Sequence, residues 1–338
     1  MAEKKEFNIL VSLGGSFYRS AFLNEQFTRL AQLGSVCQIC DAEQFGRELL
    51  RADAWLGWGW PEPSREMLKF APRLRWSGHL NLTFEGAMAL LDKGVAISEA
   101  RHCWSPAVAE MALGLILAGL RKISDYHSAM RRGNEAWPFS DFPAQLDPHE
   151  RELTGRSVGI VGFGGIGRRL AELLGPFNTP LYAHDPFVHD EIIDLYGAAR
   201  LSLMELIRCS DVVVLCAANT HDARHLMGRD EIDALRRDAV LVNVGRAWLL
   251  DTAALVERLK QGDLVAMLDV FDNEPLEQSS ELRALPNAYL TPHRAGGLVE
   301  SVQRGMDMLL LDLESFLAGM PMRYGLDKES ARKALAAK

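Results

Sequence analysis

Positive charge is in short supply in this chain: 37 Lys and Arg stand against 45 Asp and Glu, a formal net charge of −8 at pH 7. That balance disfavours nucleic acid and anionic membrane surfaces as partners, so an anionic substrate must be captured by local donors rather than by a global field. Cysteine is also scarce. The five residues are scattered and odd in number, as expected of reduced thiols in a reducing compartment. Cys37 and Cys40 form a CxxC, but SVCQIC reads as a strand, where positions three apart face opposite ways, and no second pair completes a zinc site. No metal is therefore expected. No apolar run reaches transmembrane length, and MAEKKEF is not followed by the apolar core and cleavage site of a signal peptide, so a cytoplasmic location is the expectation. Low-complexity stretches are few. With 48% hydrophobic and 24% charged residues over 338 positions, the chain is long enough for two globular domains.

The stretch from Val158 to Asp185 organises what is present. SVGIV is a short apolar strand pattern, and Gly162, Gly164 and Gly167 follow in GxGxxG spacing before a helical pattern carrying Leu170, Leu173 and Leu174. A dinucleotide site needs this order: a tight turn at Gly162, close backbone approach to a pyrophosphate at Gly164, and helix-on-strand packing at Gly167. The N–H groups of the helix start, from Gly165 and Ile166 onward, are the anion donors. PLYAHD then reads as a strand ending in Asp185, about 20 residues past the glycines, where a carboxylate can accept from the adenosine ribose and repel a 2′-phosphate. NAD is therefore expected rather than NADP.

On either side of this unit, strand and helix patterns alternate, which predicts two doubly wound parallel-sheet domains of the α/β class. Residues 1–101 supply five strand patterns with helices between them and no glycine fingerprint. A largely apolar helix over Pro106–Ile123 should be buried. The segment Ser124–Glu152, with Trp137, Phe139 and Phe142, reads as an arm whose rings suit a partner subunit. After Asp185 come a helix opened by a Ser202–Glu205 capping box, strands DVVVLCA, AVLVNVG, LVAMLDVF and AYLTP, and a long final helix from Leu298 to Leu317 whose apolar end would pack on the first domain.

VGFGGIG, AHDP, VNVGRAWLLD, LDVFDNEP and TPHRAGG occur in the order of the signature motifs of the D-isomer-specific 2-hydroxyacid dehydrogenases. From about Ser105 to Gly297 the chain resembles that family, which includes phosphoglycerate dehydrogenases and glyoxylate/hydroxypyruvate reductases. The resemblance implies a Rossmann NAD-binding domain, residues 102–297, inserted into a flavodoxin-like substrate domain of residues 1–101 and 298–338. It also implies a homodimer through the nucleotide domain. The catalytic triad carries over as Arg246, Glu274 and His293, and Thr220, Val244 and Asp269 join the expected cofactor contacts.

The three triad residue types suit one reaction. Arg246 can grip the carboxylate and carbonyl of a 2-oxo acid with a fixed fork of donors. Carbonyl oxygen gains negative charge as hydride arrives, and a histidine such as His293 can deliver the proton. Glu274 would orient the imidazole and favour its protonated form. Departures from the family pattern concern the substrate. SGHLNLTFEG (Ser77 to Gly86) stands where a glycine-rich carboxylate-binding loop is usual, so Gly78 and His79 are the expected substrate contacts, and Ala247 replaces a usual glycine. Glyoxylate, hydroxypyruvate, phosphohydroxypyruvate and a sugar-derived acid all stay open as substrates. Related formate dehydrogenases have glutamine at the place of Glu274. Transcriptional corepressors also resemble the family, so an NAD-binding interaction protein without turnover is the alternative.

Overall fold

The computed structural model describes residues 7–13, 21–39, 42–135, 146–217 and 223–335. It divides into two compact units, Met1–Trp104 with Leu298–Lys338, and Ser105–Gly297. The break falls at Trp104 rather than at residue 101, because the 3-10 turn Arg101–Trp104 buries Cys103 among the side chains of the first unit. The aromatic arm with Trp137, Phe139 and Phe142, the Gly14–Gly15 turn, Cys40 and Thr220 lie outside the described residues.

The first unit begins with strands β1 (Asn8–Leu13), β2 (Ser35–Gln38), β3 (Ala54–Trp58), β4 (Trp76–His79) and β5 (Ala96–Glu99). Helices α1 (Asn24–Leu33), α2 (Ala42–Leu49), α3 (Arg65–Leu68) and α4 (Phe84–Asp92) connect them. In the second unit, α5 (Ser105–Arg121) and α6 (Ile123–Arg132) precede strands β6 (Val158–Val161), β7 (Leu181–His184), β8 (Ala198–Arg200), β9 (Val212–Leu215), β10 (Ala239–Asn243), β11 (Leu264–Leu268) and β12 (Ala288–Leu290). Between those strands run α7 (Gly165–Leu174), α8 (Asp190–Leu195), α9 (Leu203–Cys209), α10 (Arg229–Asp233) and α11 (Thr252–Leu259). The chain then returns to the first unit as α12 (Val299–Leu317), β13 (Gly325–Leu326) and α13 (Lys328–Leu335).

The first sheet has the order β13-β5-β4-β3-β1-β2, and the second β12-β11-β10-β9-β6-β7-β8. All pairings are parallel except β13 on β5. Helices cover both faces of such sheets, so β6, β9 and β10 are buried along their whole length. The two doubly wound parallel sheets expected from the alternation are thus present. In the second sheet β7 lies on one side of β6 and β9 on the other, a reversal of strand order that opens a crevice at their carboxyl ends.

The return helix α12 buries Val302, Met306, Leu309, Leu310 and Leu313 in the core that also holds Ile9, Leu56 and Trp76. Its Asp312 accepts from Ser98 Oγ (2.7 Å) and from the backbone N–H groups of Arg323 and Tyr324 (2.7 and 2.9 Å), which seats β13 against β5.

Two features differ from expectation. The span Arg101–Arg121 is long and apolar enough to cross a bilayer by length and composition, contrary to the expectation that no run is; in the fold, Ala109, Ala112, Ile116 and Leu120 of α5 are fully buried. The opening of the expected arm is the helix α6, none of whose residues is buried.

Candidate active site

The glycine turn after β6 has the form a dinucleotide demands. Gly162 has φ +93°, and a Cβ there would lie 2.3 Å from Ala217 Cα, just beyond the end of β9. A Cβ on Gly167 would lie 2.3 Å from the carbonyl oxygen of Gly162, so α7 can approach its strand only without a side chain. Gly164 is different: a Cβ there meets nothing within 4 Å. It is exposed, with Gly165 and Ile166 half-buried behind it, and the start of α7 has no side-chain cap on its N–H groups. Open space over uncapped donors at a helix N-terminus fits a pyrophosphate.

Asp185 follows β7 and is half-buried. Its Oδ2 accepts from the Phe163 N–H of the glycine turn at 2.7 Å, and its Oδ1 from the Phe187 N–H at 2.9 Å. The acid is thereby fixed relative to the turn, and each oxygen keeps a lone pair for a further donor. These residues fit a dinucleotide. Val244, after β10, is buried at 5% exposure, with its N–H donating to Leu215 O.

Strands β10 and β11 and the turns beyond β11 and β12 deliver the three residues of the triad. Arg246 is exposed past the end of β10. Its loop is shaped by Asn243, a fully buried amide that donates to Arg246 O (2.9 Å) and accepts from Gly245 N–H (3.0 Å). Glu274 accepts through Oε1 from Phe271 N–H at 3.1 Å, and its Oε2 lies 2.6 Å from His293 Nδ1. Burial alone would raise the Glu274 carboxyl, but the His293 and Phe271 hydrogen bonds and the charges of His293 and Arg246 outweigh it and hold Glu274 below the usual carboxylate range. An ionised Glu274 makes Nδ1 the donor and leaves Nε2 of His293 for chemistry.

His293 is held in an unusual backbone conformation, φ +50°. Asp269, expected among the cofactor contacts, is fully buried and serves as the anchor of that loop. Its Oδ1 accepts from Thr291 Oγ1 (2.6 Å) and Arg294 N–H (2.9 Å), its Oδ2 from Ala295 N–H (2.8 Å), and its main-chain oxygen from His293 N–H (2.9 Å). Neither this anchoring nor the part played by Asn243 emerges from the sequence reading. The available signal was a polar residue at the end of an apolar strand, which must be satisfied if it is buried.

Gly78 and His79 belong to the other unit, in β4. A Cβ at Gly78 would strike the Trp76 ring. The His79 side chain, expected as a substrate contact, is a core group at 2% exposure: Nε2 lies 2.8 Å from Ser77 Oγ, and the ring meets Trp55 edge-on at 5.0 Å. Burial pushes its pKa down to about 3, so the ring is neutral. Among the described residues no cluster of His, Cys, Asp and Glu could hold a metal.

Residues 113–295 match the D-isomer specific 2-hydroxyacid dehydrogenase NAD binding domain. The chain belongs to the D-isomer-specific 2-hydroxyacid dehydrogenase family. Glyoxylate reductase of Aeropyrum pernix is 34% identical over 75% of this chain and 76% of its own length. Hydroxyphenylpyruvate reductase of Plectranthus scutellarioides is 36% identical over 68% of this chain and 71% of its own. A crystal structure of a phosphoglycerate oxidoreductase from Rhizobium etli superposes with a TM-score of 0.80 at 26% identity, covering 95% of this chain and 99% of the other. This member of the family is an NAD-dependent oxidoreductase acting on the CH–OH group of a D-2-hydroxy acid, and the reading as a corepressor without turnover is not favoured.

Proposed function

We propose that this dehydrogenase reduces a short 2-oxo acid of the glyoxylate or hydroxypyruvate class, with His293 as proton donor, Glu274 as its orienting carboxylate and Arg246 as the carboxylate clamp. The observation that carries the reading is the 2.6 Å pair of His293 Nδ1 and Glu274 Oε2 in a chain that also carries the open glycine turn. NADH, when bound, supplies the hydride that reaches the carbonyl carbon. Everything else is done by side chains. Arg246 neutralises the substrate carboxylate and polarises the carbonyl oxygen, and the free Nε2 of His293 gives that oxygen its proton. Glu274 stays ionised and compensates the charge of the imidazolium before transfer. In the oxidative direction neutral His293 takes the hydroxyl proton back.

Asp185 is read as the acceptor of the ribose hydroxyls, which favours NADH over NADPH. The assembly is read as a homodimer through the second unit: α6 is amphipathic, and Ile123, Tyr126 and Met130 leave it 54%, 44% and 50% exposed. A cytoplasmic setting without nucleic-acid or membrane partners agrees with the net charge and with the free Cys37, Cys103, Cys209 and Cys216.

The deciding experiment is a panel of 2-oxo acids, from glyoxylate to phosphohydroxypyruvate, assayed with NADH by loss of nicotinamide absorbance. Highest kcat/KM for glyoxylate or hydroxypyruvate is the expected result. Preference for the phosphorylated acid would remove the substrate assignment but not the mechanism, which would fall if correctly folded His293→Ala kept full turnover.

A further inference from the structure

We propose that Arg200, on the edge strand β8, is a positioning residue that fixes Asp185 and thereby sets how strongly the enzyme prefers NADH to NADPH. The proposal rests on the reading of Asp185 as the ribose acceptor.

The register of the second sheet places Arg200 beside Ala183 of β7, two residues before Asp185, so its side chain lies next to the loop by which the chain leaves β7. That loop, Asp185 to Asp190, has Pro186 and the 72% exposed Phe187 and has no sheet partner. The Arg200 guanidinium spans it from end to end. Nη1 donates to the main-chain oxygen of Asp185 at 2.5 Å, Nη2 to the main-chain oxygen of Val188, and Nε to the carboxylate of Asp190. A planar fork with five donors can hold three acceptors in one fixed geometry, which a lysine ammonium on a flexible stem cannot do. The contacts go to backbone at the start and middle of the loop and to the first residue of α8 at its end, so they set the loop's path rather than the position of one side chain.

Discrimination against a 2′-phosphate needs more than the presence of a carboxylate. The acid must be unable to swing away when a second anion approaches. Two backbone N–H groups, from Phe163 and Phe187, hold the Asp185 carboxylate directly, but one of these donors belongs to the loop itself. If the loop moves, the Phe187 donor moves with it. Arg200 ties the loop, and with it the Phe187 donor, to the neighbouring strand, and at 32% side-chain exposure it is sheltered enough for charge-assisted bonds to keep part of their strength. A three-residue edge strand with no other evident role in the site has, in this view, the task of presenting this arginine.

Binding of NADH and of NADPH is measured by isothermal titration calorimetry, without oxo acid, on the unmodified protein, Arg200→Met, Arg200→Lys, Asp190→Ala and Asp185→Ser. Arg200→Met is expected to weaken NADH about tenfold while leaving NADPH nearly unchanged, so that the preference narrows by about the same factor. Arg200→Lys should fall between the two. Asp190 has a 71% exposed side chain, so Asp190→Ala folds in any case; it removes one of three acceptors and should narrow the preference about two- to threefold. In steady state the loss lies in KM for NADH rather than in kcat. A purely structural Arg200 would lower thermal stability and weaken both cofactors in equal proportion, and a constant NADH-to-NADPH ratio in Arg200→Met and Asp190→Ala overturns the proposal. Asp185→Ser separates the two levels: if it leaves the ratio untouched, the reading of Asp185 itself is wrong, whereas a narrowed ratio there with none at Arg200 sinks only the role of Arg200.

Discussion

His293 Nδ1 and Glu274 Oε2 lie 2.6 Å apart, and the hydrogen bond and charge of His293 are among the causes that hold the Glu274 carboxyl below its ordinary range. The carboxylate is therefore charged at neutral pH and loses its charge only well into acid. Glu274→Gln keeps the size and a hydrogen-bonding oxygen but removes the charge that favours a protonated ring. Reduction, which needs the proton on His293, should fail at lower pH in this variant than in the unmodified enzyme. Oxidation, which needs the ring neutral, should persist to lower pH, so both limbs move the same way. His293→Ala should cost about 10² to 10⁴ in turnover with NADH affinity kept. Superimposable pH–rate profiles for Glu274→Gln and the unmodified enzyme would remove Glu274 from the mechanism.

Two glycines of one turn should respond differently to the same substitution. At Gly164 a methyl group meets no protein atom within 4 Å, so Gly164→Ala folds normally, yet it fills the space left for the pyrophosphate. Unchanged thermal unfolding with NADH binding weakened more than tenfold is expected. At Gly162 the methyl collides with the backbone of Ala217 and φ is +93°, so Gly162→Ala should lower stability by about 1–3 kcal/mol as well as binding. Equal thermal stability in the two variants, measured by calorimetry, would contradict this account.

Neutral, buried His79 makes the first unit sensitive to acid. Its pKa in the fold is about 3, below the value near 6.5 of an exposed imidazole, so between these limits the unfolded chain takes up a proton that the native state refuses. Stability is unaffected above that window and falls as pH drops through it, by about 1.4 kcal/mol per pH unit from this group. His79→Gln, which keeps a partner for Ser77, should flatten the acid limb of unfolding free energy measured in denaturant at pH 6.5 and pH 5. Parallel acid limbs in the two proteins would show that His79 is not the source.

What the sequence reveals and conceals follows from how far each signal reaches. GxGxxG, the acid after β7 and the buried strands are short-range patterns tied to one element each, and they are readable without the fold. The role of Asp269 depends on which loop crosses the strand ends, information that lies 20 or more residues away in Thr291 to Ala295. The Asn243 side chain bonds to Gly245 and Arg246 beside it, but its burial is decided by the packing of the whole sheet. The motif position of His79 suggests a substrate contact, but β4 is an inner strand buried at all four positions, so a side chain on either face of it enters the core. The helix α6 is hard to read because its apolar stripe is only three residues in a mostly polar segment and none of them joins a core, and β8 because three residues cannot establish a period.

The face of α6 provides a test of assembly. Ile123, Tyr126 and Met130 recur at helical spacing and are about half exposed. Tyr126→Glu with Met130→Glu places two charges on that face without touching a buried side chain. Light scattering should show a dimer for the unmodified chain and a shift to monomer for the double variant at micromolar concentration. A monomeric unmodified protein would end the homodimer reading.

Asp269 offers the sharpest separation of position from chemistry. Its carboxylate is fully buried and accepts three hydrogen bonds, two through Oδ1 and one through Oδ2, all from the segment Thr291 to Ala295 that carries His293. Asn has nearly the same shape, but one of its two positions is an NH₂ group that can only donate. Whichever way the amide turns, at least one donor of the loop faces another donor, leaving a buried polar group unsatisfied at a cost of about 1–3 kcal/mol. His293 has φ +50° and donates its N–H to Asp269 O, so relaxation of the loop moves the imidazole first. Asp269→Asn should thus lower stability and reduce kcat together. The glycine turn, by contrast, lies at the end of β6 and shares no hydrogen bond with this segment among the described residues, so an anion seated there should still bind. Full kcat in Asp269→Asn, with the stability loss present, would show that the loop can shift without displacing His293 and that the anchoring has no catalytic consequence.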